Sequence, residues 1–343
     1  MKSLYYAKTA YHLILCSCIE HKHKHDRSLL LMSPGFEGWK NVLDTLKNTC
    51  SPFNKTKLLR PDVGVPPTIK RHYDKGLNAW QSVGIVRKFN PNRIWTCKDG
   101  SPVSNTILAN SRKSCECIYV EDGGSTYAIK KHSLYSGWKK IVKKLIYGPW
   151  FSKVKVRGTS SEISGIAAVY PNNIKPELKS LKKYRIKPDY LKKYGKRWAK
   201  KLLKKQNTDL KTVSDIDVLI LMSKISGTNT DKRKYIKVVR KILKESLDKG
   251  YTVGVKYHPA EEEDEYLTVN DEPNVVSMPT AIPAELLLCS IENINRVVGY
   301  TTTALITTKW LFDDVRSISM SNSVGSDFPR LTKVMEDVGV EVI

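Results

Sequence analysis

The sequence predicts an α/β fold of two Rossmann-like domains facing a central cleft. Three observations carry that expectation. Short apolar runs alternate with amphipathic stretches through the first half, a lysine-rich segment interrupts the alternation, and the alternation then restarts. At 343 residues the chain is long for one minimal domain and suits two of ordinary size. With 41% hydrophobic and 27% charged residues it can bury a core in each, and its composition is not that of a disordered chain.

In the first half, residues 4–7, 28–33, 93–97 and 115–120 read as strands, each a short apolar run bounded by polar residues. Between them, 11–19, 39–47, 72–88 and 105–112 carry apolar residues at helical spacing. Such alternation implies a parallel sheet, whose functional groups belong at the carboxyl ends of its strands. Residues 174–213 break the pattern. There Pro188 suits a first helical turn, and Tyr190, Leu191, Tyr194, Trp198, Leu202 and Leu203 recur on one helical face with lysines opposite. The second half restarts with a buried strand at 217–222, a polar loop at 223–228 and a helix at 231–248. Gly250 ends that helix before a strand at 251–257, making a βαβ unit. Further pieces follow at 274–277, 283–290, 296–299, 303–312 and 315–320. The expected division is 1–190, 191–330 and a tail at 331–343.

Net charge is +24, and it is uneven: within 130–205, twenty-three lysines and arginines face only Glu162, Glu177 and Asp189. So concentrated a field points to a polyanionic partner: a nucleic acid, an anionic membrane surface or an acidic polysaccharide. No apolar run approaches the length of a membrane-spanning helix, and the N-terminus reads as a first strand and helix instead of a signal peptide. The seven cysteines, an odd count without framework spacing, read as buried free thiols of a reducing compartment.

Three short motifs carry chemistry. Glu121-Asp122-Gly123 follows a strand, and adjacent carboxylates raise one another's proton affinity, as a general base near neutral pH requires. Alone it is also an ordinary acidic turn. Lys256-Tyr257-His258-Pro259 ends a βαβ strand. Pro259 keeps His258 extended, so Lys256 and His258 are expected to share a face and meet a phosphate. Thr301-Thr302-Thr303 opens a helix, where hydroxyls and free N–H groups suit an anion as well as a cap. Ser223, Ser226, Gly227 and Thr228 form a comparable polar loop.

Other candidates are declined. Asp215-Ile-Asp217 precedes a strand, so no metal is expected there. His21-Lys-His-Lys-His25 reads as a solvated basic loop, and Gly123-Gly124 lacks the glycine spacing of a dinucleotide site.

At these residues the sequence resembles the bacterial sialyltransferases, which share a D/E-D/E-G motif, an HP motif and a later Ser/Thr pair on a GT-B scaffold. Here these are Glu121-Asp122-Gly123, His258-Pro259 and Thr302-Thr303. The basic charge and the Glu-Asp-Gly form make it most similar to the capsule polysialyltransferases, glycosyltransferase family 38. The hydroxyl pair, often Ser-Ser, is Thr here. The resemblance implies CMP-Neu5Ac as donor, inversion, and neither metal nor cofactor. It implies Glu121 or Asp122 as base, with His258 on the leaving phosphate. It further implies Gly123, Lys256, Pro259, Glu285 and Thr301 to Thr303 around the donor, Lys256 at the nucleotide and Glu285 at the ribose, beside which the polar loop of Ser223, Ser226, Gly227 and Thr228 is read as a further phosphate or nucleotide contact. Lys8, Lys130, Lys131, Lys139, Lys140, Lys143 and Lys144 are the candidates for an oligo- or polysialic acid acceptor. The implied location is cytoplasmic or peripheral on the inner membrane, without nucleic acid. The alternatives are addition of a single sialic acid, a CMP-Kdo donor, or a non-catalytic nucleic-acid-binding protein. Against the last, Tyr190, Tyr194 and Trp198 sit at core spacing, not as stacking platforms.

Overall fold

The structure, a computed structural model, describes residues 1–62, 69–128, 133–134, 137–225, 230–259, 272–325 and 328–343. It divides into two compact units, Met1–Trp39 with Ser51–Tyr190, and Lys40–Cys50 with Leu191–Ile343.

Unit 1 holds strands β1 (Lys2–Ala7), β2 (Arg27–Met32), β3 (Lys55–Leu58), β4 (Arg93–Thr96), β5 (Glu116–Val120), β6 (Gly165–Ala168) and β7 (Lys182–Arg185). They form one sheet in the order β3-β2-β1-β4-β5-β6-β7, every pairing parallel. The central strands are apolar because both faces are covered: Leu4, Leu30, Ile94, Ile118 and Ile166 are fully buried. Helices α1 (Ala10–His23), α2 (Trp39–Lys47), α3 (Ile69–Phe89), α4 (Pro102–Ala109) and α5 (Gly137–Tyr147) follow in chain order, of which α2 falls almost wholly within unit 2.

Helix α6 (Asp189–Lys205) leads into unit 2, followed by α7 (Leu210–Ser214), α8 (Lys232–Leu247), α9 (Ala284–Leu288), α10 (Thr303–Leu311), α11 (Ser321–Val324) and α12 (Pro329–Asp337). Its strands are β8 (Val218–Leu221), β9 (Val253–Lys256), β10 (Val275–Met278), β11 (Arg296–Gly299), β12 (Arg316–Ser319) and β13 (Glu341–Val342), again all parallel, in the order β10-β9-β8-β11-β12-β13. One face packs on α8 through Val218, Ile220, Val253, Val255 and Val298 against Tyr235, Val239 and Leu243. On α6, Leu191, Trp198, Leu202 and Leu203 are buried while Lys192, Lys193 and Lys196 are exposed; the Trp198 indole N–H donates to the Val42 carbonyl of α2 at 3.2 Å.

Three expectations need correction. Residues 331–343 are no tail: they complete α12 and supply β13, which pairs with β12. Residues 40–50 cluster with unit 2, held there by α6. His21 to His25 is not a solvated loop. α1 runs to His23, Lys24 turns the chain in the left-handed region (φ 46°), and the buried His25 meets Glu20 at 2.6 Å. All seven cysteines are free. Among the described residues no helix is long and apolar enough to cross a membrane.

Candidate active site

In both sheets two strands are added on one side of the first strand and the rest on its other side, so the strand order reverses between β1 and β4 and again between β8 and β11. Loops at the carboxyl ends of strands around such a reversal are where open α/β sheets bind ligands. In unit 1 those loops carry Lys8 after β1, Lys98 after β4 and Glu121-Asp122 after β5.

The turn after β5 depends on Gly123, whose φ of +57° lies in the left-handed region that glycine enters at no steric cost. Inside the turn, the Asp122 N–H donates to Thr126 Oγ1 (2.9 Å) and the Ser125 hydroxyl to the Asp122 carbonyl (2.8 Å). The two carboxylates therefore point into different surroundings.

Glu121 is fully buried. Its Oε1 accepts the Tyr11 hydroxyl (2.7 Å); its Oε2 accepts the Tyr127 hydroxyl (2.6 Å) and the Val169 N–H (2.8 Å). Burial raises its pKa above the usual glutamate value, and the three donors only partly offset this. Tyr127 is buried, whereas Tyr11 is half-buried.

Asp122 faces cations. Its Oδ1 accepts from His12 Nε2 (2.8 Å), with Lys98 Nζ 3.9 Å away, and its Oδ2 pairs with Arg157. Burial would raise its pKa, but the His12 hydrogen bond and the charges of Lys98 and Arg157 outweigh it, and the net direction is down. His12 is held in one tautomer. The Thr9 N–H donates to Nδ1 (3.3 Å), leaving Nε2 to carry the ring proton toward Asp122. Burial lowers the His12 pKa despite the carboxylate, so the ring is neutral and the anion is Asp122. Nearby, Lys175 is buried and donates to the Ser125 carbonyl (2.8 Å); desolvation pushes its pKa down to about 8.

In unit 2, β9 ends at Lys256, and His258 with Pro259 lies exposed beyond it. Lys256 is buried and donates to the carbonyls of Pro279 (3.1 Å) and Thr280 (3.0 Å). Glu285, in the first turn of α9, is buried; burial raises its pKa against the opposing charge of Lys256. Thr302 caps α10, its hydroxyl accepting the Ala304 N–H at 3.4 Å, and Thr301 and Thr303 are half-buried beside it. The Ser223 N–H donates to the Tyr235 hydroxyl (2.9 Å), while the buried Ser223 Oγ lacks a partner among the described residues.

Of the acceptor candidates, Lys8 is paired with Asp62 at 2.6 Å. Lys139, Lys140, Lys143 and Lys144 lie on α5. Ser226, Gly227, Thr228, Lys130 and Lys131 lie outside the described residues. The sequence reading did not single out Tyr11, His12, Lys98, Tyr127, Arg157 or Lys175. Among the described residues, no group of three His, Cys, Asp or Glu side chains could hold a metal.

No curated protein matches the sequence. Solved structures do resemble the fold. UDP-GlcNAc 2-epimerase from Methanocaldococcus jannaschii, in complex with UDP-GlcNAc and UDP, aligns with a TM-score of 0.60 at 11% identity, over 100% of this chain and 89% of that one. An alpha/beta-galactoside alpha-2,3-sialyltransferase from Photobacterium phosphoreum aligns with 0.57 at 13%, over 99% and 98%. The GT-B domain of a Photobacterium damselae sialyltransferase aligns with 0.51 at 13%, over all of both chains. The sequence profile described as alpha-2,8-polysialyltransferase matches residues 86–321.

Two parallel α/β units, with the likeness to solved GT-B structures, thus define a GT-B fold, and the profile match makes the protein a glycosyltransferase. The chain belongs to the alpha-2,8-polysialyltransferase family.

Proposed function

We propose that the protein transfers sialic acid from CMP-Neu5Ac to the non-reducing end of an oligo- or polysialic acid chain, with inversion and without a metal. The observation that carries this reading is the opposed environment of two neighbouring carboxylates. Glu121 is pushed toward a stronger base and Asp122 toward a permanent anion. Divergent proton affinities in adjacent groups mark a division of acid–base labour, and a base works best when its pKa approaches the working pH.

In the proposed reaction, an acceptor hydroxyl passes its proton to the Tyr11 oxygen while Tyr11 passes its own to Glu121 Oε1. Tyr11 is the only half-exposed side chain among the three donors enclosing that carboxylate. The freed oxygen bonds to the anomeric carbon, and the bond from that carbon to the phosphate oxygen breaks. His258 gives a proton or hydrogen bond to the departing CMP. Thr302 and Thr303 at the start of α10 hold its phosphate, Lys256 orders the nucleotide loop, and Glu285 receives the ribose hydroxyls. Lys98 and Arg157, part-exposed at Asp122, meet the acceptor's carboxylate. Nucleic acid has no part in this reading. The setting is the cytoplasmic side of an anionic inner membrane, where the enzyme docks peripherally.

The test is incubation with CMP-Neu5Ac and a labelled oligosialic acid, followed by chain-length analysis. Glu121→Gln is expected to lower elongation by about 10²–10⁴, the range spanned by loss of a general base, and Tyr11→Phe to lower it less. Normal elongation by Glu121→Gln refutes the assignment.

A further inference from the structure

Helix α5 is fastened to unit 1 along one side only. Tyr147 is buried, its hydroxyl lies 2.5 Å from His72 Nδ1, and its ring meets Phe151 edge-on at 4.9 Å. Ile146 lies against Gly76 of α3 so closely that a Cβ there would come within 2.8 Å of the Ile146 carbonyl oxygen. The other side is bare. Trp138, Ile141 and Leu145, spaced three and four apart on one stripe, are 69%, 62% and 75% exposed. Leu134 is exposed just ahead of the helix. Tyr73 and Trp80 are exposed on the same stripe of α3 as Gly76. Of the ten large apolar side chains exposed among the described residues, six therefore gather on two packed elements and the residue beside them. Scattered exposed apolar residues need no explanation, but a concentration of this kind marks an interaction face.

The charge says what covers it. Lys139, Lys140 and Lys144 lie around the helix from the apolar stripe, Lys143 is on the packed side with its Nζ 3.1 Å from His72 Nδ1, and α5 contains no acidic residue. A second copy of this face would bring like charges together. We propose that α5 lies in the plane of an anionic bilayer, with Trp138, Ile141 and Leu145 inserted at the headgroup boundary and Lys139, Lys140 and Lys144 reaching lipid phosphates. An apolar stripe bearing tryptophan on a helix whose polar residues are lysines is the composition that such a surface retains. Lys139, Lys140 and Lys144, expected from sequence along the acceptor path, are thereby assigned to the membrane, while Lys143 stays with His72. The inference rests on the peripheral location proposed above and not on the transfer chemistry.

The experiment is co-sedimentation of the full chain with phosphatidylcholine vesicles, with and without phosphatidylglycerol. Wild type is expected to bind the anionic vesicles and to leave the neutral ones largely free. The combined variant Trp138→Ala, Ile141→Ser, Leu145→Ser is expected to lose binding about tenfold or more, given how steeply partitioning follows buried apolar area. It should retain the wild-type circular dichroism spectrum and its elongation of a soluble oligosialic acid. Lys139→Glu with Lys140→Glu and Lys144→Glu should weaken binding to the anionic vesicles alone. Equal sedimentation of wild type and the apolar variant overturns the proposal. So does a wild-type dimer in solution that the apolar variant dissolves, since the face would then bind its own copy. Vesicle binding without any elongation would leave the docking face standing and remove the transferase reading instead.

Discussion

The carboxyl ends of the two sheets share a strand order but treat charge in opposite ways. In unit 1 the turn after β5 arrives with its partners in place: a neutral His12 and the cations Lys98 and Arg157 on Asp122, and two tyrosines with a backbone N–H on Glu121. In unit 2 the loop after β9 leaves His258 exposed, and the threonines that open α10 are half-buried. The contrast fits two tasks. A base must have its proton affinity set before substrate arrives, so its environment is built into the fold. In the proposed reaction a clamp for a leaving phosphate meets a charge that comes and goes, so an exposed His258 can reach it when the donor binds.

The largest effect expected in unit 2 follows from that openness. His258→Ala should lower turnover by about 10²–10³, the loss typical when one donor to developing negative charge is removed. Its melting temperature should stay near wild type, because an exposed side chain contributes little to folding. A melting temperature that falls along with turnover would mean that His258 is a structural residue and that the two units do not differ as described.

Asp122→Asn probes the opposite case. Removing one partner of a buried ion pair costs about 3–5 kcal/mol; here Lys98 and Arg157 keep part of their hydration, so about 2–3 kcal/mol is expected. The sign with pH follows from the lowered pKa. Asp122 contributes its stability above the ordinary aspartate value of 3.8 and loses it as pH falls through the depressed folded value. The variant should therefore be least stable relative to wild type at neutral pH, with the gap closing in acid. Chemical denaturation at several pH values measures this, and a gap independent of pH would sever Asp122 from its cations.

The same physics decides what the sequence discloses. Interior strands of a parallel sheet are covered on both faces, so 4–7, 28–33, 93–97 and 217–222 announce themselves as apolar runs. Edge strands are half-solvated and guarded by charge. β3 reads Lys-Thr-Lys-Leu, β7 Lys-Lys-Tyr-Arg and β13 Glu-Val, and none carries a strand signal; of the four edges only β10 does. β7 in particular hides inside a lysine-rich stretch that reads as a helical surface. The site divides likewise. Glu121-Asp122-Gly123 is legible because a strand and its turn are local. His12 is not, because sheet order alone brings it to Asp122, 110 positions away, and in sequence it merely interrupts an apolar helix. Thr9 and His12 do sit three apart at a helix start, a capping spacing that could have drawn attention to the ring. Arg157 and Lys175 disappear among the other cations of 130–205.

The smallest expected effect refines the comparison within unit 1 itself. The Glu121 pKa is raised above its ordinary 4.5, so across the window from 4.5 up to the folded value the native state holds a proton that the unfolded chain has released. Stability must fall as pH rises through that window, the reverse of the Asp122 case. Glu121→Gln removes the titration and leaves a neutral amide among Tyr11, Tyr127 and the Val169 N–H. Its melting temperature relative to wild type should therefore climb by a few degrees from pH 4.5 upward, while elongation is lost. Thermal melts of both proteins across that range read the effect directly, and parallel curves would show that the fold leaves the proton affinity of Glu121 unchanged, removing the reason to prefer it over Asp122 as the base.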